Sequence, residues 1–357
     1  MIEQLQQEPI IAVDTESNSL YAYREQVCLV QFSIPNKDYL VDPFAVPDMT
    51  ELGPIFVDPA IEKVFHAAEY DVICLKRDFG FAFNNIFDTM AAARILGRKA
   101  VGLGTLLERE FSVELDKHYQ RANWGQRPLP AKMLAYARLD THYLITLRNL
   151  LKKELQEKNL YDLAKEDFDR LRSVNGHNGE EQAPSWWRVR RSNELTPQQA
   201  AILQELCQYR ERMARTMDRP VFKVINDQTL FEIARQAPKD LQALGRIRGM
   251  NEQQVRRHGA RLLEAVQRGL NDPPLYPPKT QRPNDHVLQR LDRLRRWRKT
   301  TAQSLGVDSD IILPRDLMYT VAEEGPRTSE ELDNLLEEVP WRREHFGEQI
   351  LATVNKR

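Results

Sequence analysis

The pattern in this chain best suited to chemistry is a pair of acids at the end of a short apolar run. Residues 10–17 read IIAVDTES, and the four apolar residues predict a strand buried on both faces. Side chains alternate along a strand, so Asp14 and Glu16 should project from the same face. Two carboxylates about 4 Å apart repel by about 4 kcal/mol at an effective dielectric near 20. The pattern predicts either acids that reach water at the strand end or acids that share a cation.

Two further acids could complete such a cation site. Asp71 falls in the first turn of a helix predicted over residues 70–79, where the helix dipole alone also favours an acid. Asp140 lies on the apolar stripe of a long helix predicted over residues 130–158, one turn after Tyr136. A buried arginine partner would also explain Asp140. Oxygen ligands select hard cations such as Mg²⁺ or Mn²⁺, and two such ions can serve in-line attack on a phosphodiester.

The elements that would position these acids indicate a mixed α/β domain. Strands are predicted at residues 27–34 and 38–43, and the turn between them is too short for a crossover, so they should form an antiparallel hairpin. Further strands at residues 62–67 and 86–87 alternate with helices. A loop over residues 112–130 is long enough to have a role beyond connection.

The remainder of the chain is predicted to hold two related helical domains. At 357 residues the chain is too long for one typical domain. A constant shift of 88 residues aligns Tyr209 with Trp297 and Ala234 with Ala322, which indicates a duplication. The predicted boundaries are an α/β domain over 1–172, a linker over 173–193, a first helical domain over 194–271, a proline-rich linker over 272–285 and a second helical domain over 286–357.

Charge is divided unevenly between these parts, although the net charge is only −1. Residues 186–271 hold 16 Lys and Arg against 9 Asp and Glu, whereas residues 1–185 hold 21 against 28. A basic module of this kind favours a polyanionic partner, but its arginines could equally pair with the acidic first domain. The second helical domain is near neutral, so we expect it to pack against its neighbours rather than to bind phosphate.

The cysteine pattern and the absence of a long apolar run restrict the compartment. The three cysteines are scattered without a CxxC pattern, which is typical of a reducing cytoplasm and argues against structural zinc. No apolar run reaches the length of a membrane span, and the first residues do not resemble a signal peptide. We therefore expect a cytoplasmic monomer that uses neither a membrane nor a small-molecule cofactor.

Three strings of the first domain resemble the motifs of a known enzyme superfamily. Asp14-Thr-Glu16, His66-Ala-Ala-Glu-Tyr-Asp71 and Tyr136-Ala-Arg-Leu-Asp140 resemble the three exonuclease motifs of the DEDD superfamily in its tyrosine-bearing branch. The strings VDTES, FDTMAAA and NWGQRPLPAKMLAYARLDTHYL resemble the ribonuclease D family, and both helical copies resemble HRDC domains. The likeness of residues 9–155 implies an α/β ribonuclease H-like exonuclease domain, followed by two small all-α HRDC-like domains.

The resemblance also implies an activity and a role for each acid. It implies a metal-dependent 3′→5′ exoribonuclease that releases nucleoside 5′-monophosphates, with tRNA precursors and other structured RNAs with 3′ tails as expected substrates. Asp14, Glu16 and Asp140 would hold the Mg²⁺ or Mn²⁺ ion that activates water. Asp14 would bridge to a second ion, which Asp71 would ligate largely through water, and Tyr136 would position the attacking water. The residues expected to contact RNA are His66, Asn123, Trp124, Arg127, Arg210, Arg256 and Arg257.

Other functions remain compatible with the same residues. The motifs also serve DNA exonucleases, although two HRDC-like copies without a helicase or polymerase segment favour RNA. An RNA-binding scaffold with a vestigial nuclease domain would keep the basic module but not require all four acids. Hydrolysis by a metal-free carboxylate pair is disfavoured, because a phosphodiester anion and bare carboxylates repel each other.

Overall fold

The described part of the chain forms two compact units. This computed structural model describes residues 1–46, 48–116, 118–174, 185–278 and 284–356. The described residues within 1–16, 27–178 and 282–357 form the first unit, and those within 17–26 and 179–281 form the second. Parts of both predicted linkers, 175–184 and 279–283, lie outside the described residues. Over the described residues, every helix is too short or too polar to cross a membrane.

A five-stranded mixed sheet forms the centre of the first unit. Its strands are β1 (Ile10–Ser17), β2 (Val27–Ile34), β3 (Lys37–Val41), β4 (Glu62–Phe65) and β5 (Ile86–Asp88). The strand order is β3-β2-β1-β4-β5. β1 pairs in parallel with β4 and β4 with β5, while β2 and β3 form the predicted antiparallel hairpin.

The two faces of β1 contribute to two different hydrophobic cores. Ile11 and Val13 belong to one core, whereas Ala12 belongs to the other, together with Val64 and Phe87. All three β1 residues are inaccessible to solvent. This burial on both faces confirms the strand predicted from the apolar run. Because residues two apart share a face, the Ala12 face continues toward the acids that follow it.

Eight helices accompany the sheet in the described part of the first 174 residues. They are α1 (Ile2–Gln7), α2 (Gly53–Val57), α3 (Glu69–Phe79), α4 (Thr89–Ile95), α5 (Leu103–Phe111), α6 (Ala131–His142), α7 (Leu144–Glu157) and α8 (Tyr161–Arg170). Asp88 caps α4, since its carboxylate accepts hydrogen bonds from the amides of Met90 and Ala91.

One helix predicted from the sequence is in fact two. The long helix expected over residues 130–158 is interrupted at Tyr143, between α6 and α7. α6 packs on β2 and β3, whereas α7 packs on α4 and β4. A single straight helix would have to follow one direction, so the break lets the chain cover two parts of the sheet. The apolar pattern continues across the break, which is why periodicity did not reveal it.

The second unit is a small bundle built on two long helices. Its helices are α9 (Pro197–Met217), α10 (Val221–Val224), α11 (Asp227–Gln236), α12 (Leu241–Gly245) and α13 (Glu252–Asn271). α13 approaches α9 so closely that a Cβ on Gly269 would lie 2.4 Å from the Cα of Ile202. Trp186 packs into this core, whereas Trp187 stays half-exposed.

The second helical copy repeats the same element order. Its helices are α14 (Asp285–Leu305), α15 (Ser309–Ile312), α16 (Arg315–Glu324), α17 (Ser329–Leu335) and α18 (Pro340–Asn355). Each of them begins 88 residues after its counterpart in the first copy. The helix starts therefore support the duplication indicated by the sequence.

A buried arginine ties the second copy to the α/β domain within the first unit. Arg342 on α18 is fully buried, and its guanidinium contacts the carboxylates of Glu166 and Asp167 on α8 at 2.8 Å each. Its Nε also donates to the carbonyl of Ile311 at 2.9 Å. At the surface, Arg94 pairs with Asp310 at 2.8 Å. The second copy therefore packs against the α/β domain, in agreement with the expectation that it packs against other parts of the protein.

Candidate active site

The end of β1 and the middle of α6 bring three acids together. Asp14 and Glu16 share one face of β1, and Asp140 lies on α6. One carboxylate oxygen from each of the three lies within 4.8 Å of the others. Two acids come from one strand and the third from a helix more than a hundred residues later, as the sequence predicts. The arrangement offers three oxygen ligands to one point in space.

Asp71 joins this group from the first turn of α3. Its side chain is buried, and the hydroxyl of Thr15 donates a hydrogen bond to its Oδ1 at 2.5 Å. Thr15 lies between Asp14 and Glu16 on β1, so this bond fixes Asp71 beside the other acids. Asp71 is not one of the three acids whose oxygens lie within 4.8 Å. Its charge nevertheless contributes to raising the pKa of Asp14, Glu16 and Asp140.

Burial disfavours the ionised form of all four acids, and repulsion from neighbouring acids adds to this effect. Burial is the largest cause, and it raises the pKa of Glu16 to about 9 and those of Asp71 and Asp140 to about 7. The pKa of Asp14 is also raised well above its ordinary value, by burial first and then by the other three acids. In the described part of the chain, none of the four forms an ion pair with Lys, Arg or His. The arginine partner considered for Asp140 is therefore not found.

This donor set fits a hard divalent cation. Buried carboxylates without a cationic side chain need either protons or a metal ion to offset their repulsion. Carboxylate oxygens are the ligands preferred by Mg²⁺ and Mn²⁺, and the group contains no sulfur or imidazole ligand of the kind that zinc favours. The residues present thus fit the divalent cations that are typical of the DEDD exonucleases.

Tyr136 lies one turn before Asp140 on α6 and points at the acids. Its hydroxyl donates a hydrogen bond to Asp140, which lowers the pKa of that acid while burial raises it. Burial and the neighbouring acids raise the pKa of Tyr136 itself, so the phenol keeps its proton. Trp124 and Tyr119 flank the ring, with centroids 6.1 and 5.9 Å away. The phenol is therefore held as a hydrogen-bond donor rather than as a base.

The acids open into a cleft of about 420 Å³. It is lined by Asp14, Glu16, Tyr136 and Asp140, and also by His66. It is further lined by residues that the sequence did not assign to the site: Gly102, Leu103, Gly104, Thr105, Leu115, Asp116 and Gln120. Two local signals pointed to them: the length of the loop over residues 112–130, and the two glycines near the start of α5, which leave backbone open beside a ligand.

His66 lines the cleft and is held by a hydrogen bond to Thr89. Its Nδ1 lies 2.9 Å from the hydroxyl of Thr89, which itself donates to the carbonyl of Phe65 at 3.0 Å. Thr89 therefore accepts from His66, and Nδ1 carries the proton. Burial lowers the pKa of His66, which keeps the ring neutral and leaves Nε2 as an acceptor. This placement agrees with the expected role of His66 in contacting RNA, which stays a prediction.

The loop residues expected to contact RNA also have contacts within the protein. Trp124 is buried beneath Tyr136. Arg127 binds both oxygens of Asp42, at 2.6 and 2.7 Å, and donates to the carbonyls of Cys28 and Trp124 at 2.8 Å. The carboxamide oxygen of Asn123 accepts from a backbone amide two residues on, at 3.2 Å. These contacts account for the three residues without RNA, and an RNA contact remains a prediction.

The basic residues of the first helical copy fall into two groups. Arg210 is engaged inside its own domain, since it pairs with Asp227 at 2.5 Å and donates to the carbonyl of Ile225. Arg256 and Arg257 are exposed on α13. Arg256 and Arg257 are therefore accessible to RNA. For all three arginines, contact with RNA remains a prediction.

Comparison with known proteins agrees with this fold. A family model described as 3′-5′ exonuclease matches residues 1–156, and an HRDC domain model matches residues 199–266 and 287–354. Ribonuclease D of Pseudomonas paraeruginosa is 30% identical over 97% of this chain and 92% of its own length. Protein RRP6-like 1 of Arabidopsis thaliana is 32% identical over 76% of this chain. The match spans only 44% of that longer protein.

Solved structures show the same architecture. The crystal structure of Escherichia coli RNase D, an exoribonuclease involved in structured RNA processing, has a TM-score of 0.67 and 25% identity, and the match covers 95% of this chain and 96% of that one. The catalytic core of RRP6 from Trypanosoma brucei has a TM-score of 0.65 and 29% identity, and the match covers 76% of each chain.

Fold and site together define a 3′-5′ exonuclease whose α/β catalytic domain is followed by two all-α HRDC domains. This confirms the fold class predicted from the sequence. The family models account for most of the chain, and the likeness to the Pseudomonas enzyme extends over nearly all of it. The chain belongs to the ribonuclease D family, and it is a 3′-5′ exoribonuclease.

Proposed function

We propose that this enzyme removes nucleotides one at a time from the 3′ end of RNA and releases nucleoside 5′-monophosphates. The observation that carries the proposal is the convergence of Asp14, Glu16 and Asp140 within 4.8 Å, with Asp71 held beside them by Thr15. Such a site suits the 3′-terminal phosphodiester, because its acids can share cations that offset both their own charge and that of the phosphate.

The proposed cofactors are two divalent cations, Mg²⁺ or Mn²⁺. Asp14, Glu16 and Asp140 would hold one of them, and Asp71 together with Asp14 the other. Bound there, the pair supplies Lewis-acid activation of water and neutralises charge on the leaving oxygen. The carboxylates would hold these ions in a partly buried site, where electrostatic interactions are stronger than in bulk water.

Tyr136 is proposed to orient the attacking water. Its pKa is raised, so it acts at neutral pH as a donor and acceptor of hydrogen bonds and not as a general base. The hydrogen bond to Asp140 and the packing of Trp124 and Tyr119 hold the phenol in one position. A fixed phenol oxygen can keep a water in line with the scissile bond, which is a matter of positioning.

The proposed substrates are tRNA precursors and other structured RNAs that carry short 3′ tails. Support comes from the E. coli relative, which is described as acting in structured RNA processing. We also propose that the enzyme is a cytoplasmic monomer. The cysteines show no CxxC pattern, which is typical of a reducing cytoplasm, and the three clustered acids all come from one chain. Light scattering of the purified protein tests the monomer.

Digestion of RNA labelled at its 5′ end, with and without EDTA, tests the proposed reaction. We expect a ladder that shortens from the 3′ end in Mg²⁺ or Mn²⁺, nucleoside 5′-monophosphates as the product, and no digestion in EDTA. Asp140→Asn should fold and bind RNA but lose turnover by at least about a thousandfold, because it removes a charged ligand. Faster digestion of a matched DNA would favour the DNA exonuclease, and inactivity with either metal would favour the RNA-binding scaffold.

A further inference from the structure

Two arginines of the second HRDC domain converge on one tyrosine hydroxyl. Arg295 on α14 donates to Tyr319 Oη at 2.9 Å, and Arg315 on α16 also hydrogen-bonds to this oxygen. Both guanidinium groups also lie over the Tyr319 ring, 5.8 and 5.6 Å from its centroid. Bonding to Arg315 first, and then to Arg295, lowers the pKa of Tyr319. All three side chains are exposed, and we call them the arginine–tyrosine cluster.

The positive charge of this cluster is not balanced by acids. Over the described residues, neither Arg295 nor Arg315 forms an ion pair with a carboxylate. The nearby acids are engaged elsewhere, because Asp310 pairs with Arg94 and Asp316 pairs with Arg170. Two guanidinium groups gathered around one oxygen repel each other, and an anion between them would offset this repulsion.

A third arginine adds to the positive potential around the arginine–tyrosine cluster. Arg298 on α14 donates to the carbonyl of Leu313 at 2.8 Å. Burial lowers the pKa of Arg298, and the charges of Arg295 and Arg315 lower it further, against an opposing effect of Asp310. The three cations therefore act on one another, which places them in one local patch of positive potential.

The first HRDC domain shows that the fold does not need this cluster. A shift of 88 residues aligns Arg315 with Asp227 and Arg298 with Arg210. In the first copy, Arg210 and Asp227 form an ion pair at 2.5 Å. The same shift aligns Arg295 with Cys207 and Tyr319 with Phe231, both of which are buried. The second copy thus has two like charges where the first has an ion pair, so packing does not explain the difference.

We propose that the arginine–tyrosine cluster binds a backbone phosphate of the RNA upstream of its 3′ end. The inference rests on the proposed function for the choice of RNA as the anion. Guanidinium forks match phosphate oxygens, and Tyr319 keeps its own hydroxyl proton for donation while its oxygen accepts from the arginines. Such a contact would position the substrate without reading its bases. It also revises the expectation that the near-neutral second copy takes no part in phosphate binding.

Fluorescence anisotropy with a labelled single-stranded RNA, in EDTA to prevent hydrolysis, tests the site. The double variant Arg295→Ala/Arg315→Ala should bind RNA about tenfold more weakly, and its salt slope should fall by about 0.7, as for one lost phosphate contact on a single strand. Arg296→Ala is the matched control, because Arg296 is exposed on the same helix and pairs with Asp292. It removes one positive charge and should change the dissociation constant by less than about twofold.

A lysine double variant distinguishes loss of phosphate binding from a folding defect, and a short substrate distinguishes it from loss of catalysis. Arg295→Lys/Arg315→Lys should recover most of the affinity, whereas a folding defect of the alanine variant would appear in its thermal melt. Hydrolysis of a dinucleotide in Mg²⁺ reports on the acid cluster alone. If the wild-type protein does not cleave the dinucleotide, but the double alanine variant still binds RNA more weakly than the wild type, the proposed function fails and the phosphate site stands.

Two results would overturn the phosphate site itself. The first is equal RNA affinity of the double alanine variant and Arg296→Ala. The second is that the double alanine substitution weakens binding of polyglutamate but not of RNA. This result would indicate an acidic protein as the partner.

Discussion

At the scale of single residues, the defining feature is a group of four acids, one buried and three half-buried, that has no ion pair with a cationic side chain among the described residues. Asp14, Glu16 and Asp140 present their oxygens to one point, and Thr15 holds Asp71 next to it. Placing like charges together in a partly buried site does not stabilise the folded state. The arrangement is explained by the cations that it can hold, and it leads to two predictions about individual side chains.

The hydroxyl of Tyr136 should contribute to turnover and not to metal binding. Tyr136→Phe keeps the ring packed against Trp124 and Tyr119 but removes the oxygen that bonds to Asp140. We expect kcat to fall about 10- to 100-fold, which is modest because positioning and not proton transfer is lost. Calorimetric titration with Mn²⁺ should give unchanged affinity. A variant with wild-type kcat would remove Tyr136 from the mechanism.

The raised pKa values predict that the metal-free protein becomes less stable as pH rises. In the folded state Asp71 and Asp140 hold their protons to about pH 7 and Glu16 to about pH 9. In the unfolded chain the same groups ionise near pH 4. Below about pH 4 both states are protonated and no stability is lost. Between about pH 4 and 9 the unfolded state ionises first, so the free energy of unfolding falls.

Urea unfolding in EDTA at about pH 5.5 and pH 8.5 measures this effect. The wild-type midpoint should be lower at the higher pH, and Asp140→Asn should lose less stability between the two. Added Mg²⁺ should restore the wild-type midpoint more than that of the variant, because only the wild type has the complete set of ligands. Identical pH dependence of both proteins would mean that the acids do not repel each other as described.

At the scale of secondary structure elements, β1 and α6 position the site, and a loop supports it. β1 sets Asp14 and Glu16 on one face, and α6 sets Tyr136 and Asp140 one turn apart. Trp124, in the loop before α6, packs under the Tyr136 ring together with Met133. The loop therefore acts on the site through packing.

Substitution of Trp124 distinguishes packing from RNA contact. Trp124→Ala should cost about 3–5 kcal/mol of stability, because it leaves a large cavity under Tyr136. Trp124→Phe should cost about 1 kcal/mol, since the indole Nε1 has no hydrogen-bond partner within the described structure and none is lost. RNA affinity of Trp124→Phe should equal that of the wild type in anisotropy measurements. A stable Phe variant with tenfold weaker binding would instead support the RNA contact expected from the sequence.

The sequence predicted the elements with a regular period better than the parts that lack one. The alternation in β1 and the helical spacing of Tyr136 and Asp140 predicted three acids as candidate ligands, and left open whether they meet. The break at Tyr143 was missed because the apolar stripe passes through it unchanged. The packing of Trp124 was also missed, since a loop has no period from which the direction of a side chain can be inferred.

At the scale of the whole molecule, the chain combines one nuclease domain with a duplicated helical module. The two HRDC copies share helix starts at a shift of 88 residues but differ in charge and in exposed residues. The second copy packs with the α/β domain in one compact unit, and Arg342 lies in that interface. The predicted domain boundaries themselves stay a prediction, which limited proteolysis can test.

Removal of Arg342 should destabilise the first unit. Arg342→Ala leaves Glu166 buried without its partner and Asp167 without a contact, so we expect a loss of about 3–5 kcal/mol in urea unfolding. Arg343→Ala is the matched control, because Arg343 is exposed and lies 3.9 Å from Asp333. Its effect should stay within about 0.5 kcal/mol. Equal losses in the two variants would contradict the interface.

Anomalous diffraction from crystals soaked in Mn²⁺ tests the central claim most directly. The account predicts a strong manganese peak between Asp14, Glu16 and Asp140, and a second peak on the side of Asp71. The first peak should disappear in Asp140→Asn crystals soaked in the same way. Manganese bound elsewhere on the protein, with none between these acids, would contradict the assignment of this cluster as the catalytic metal site.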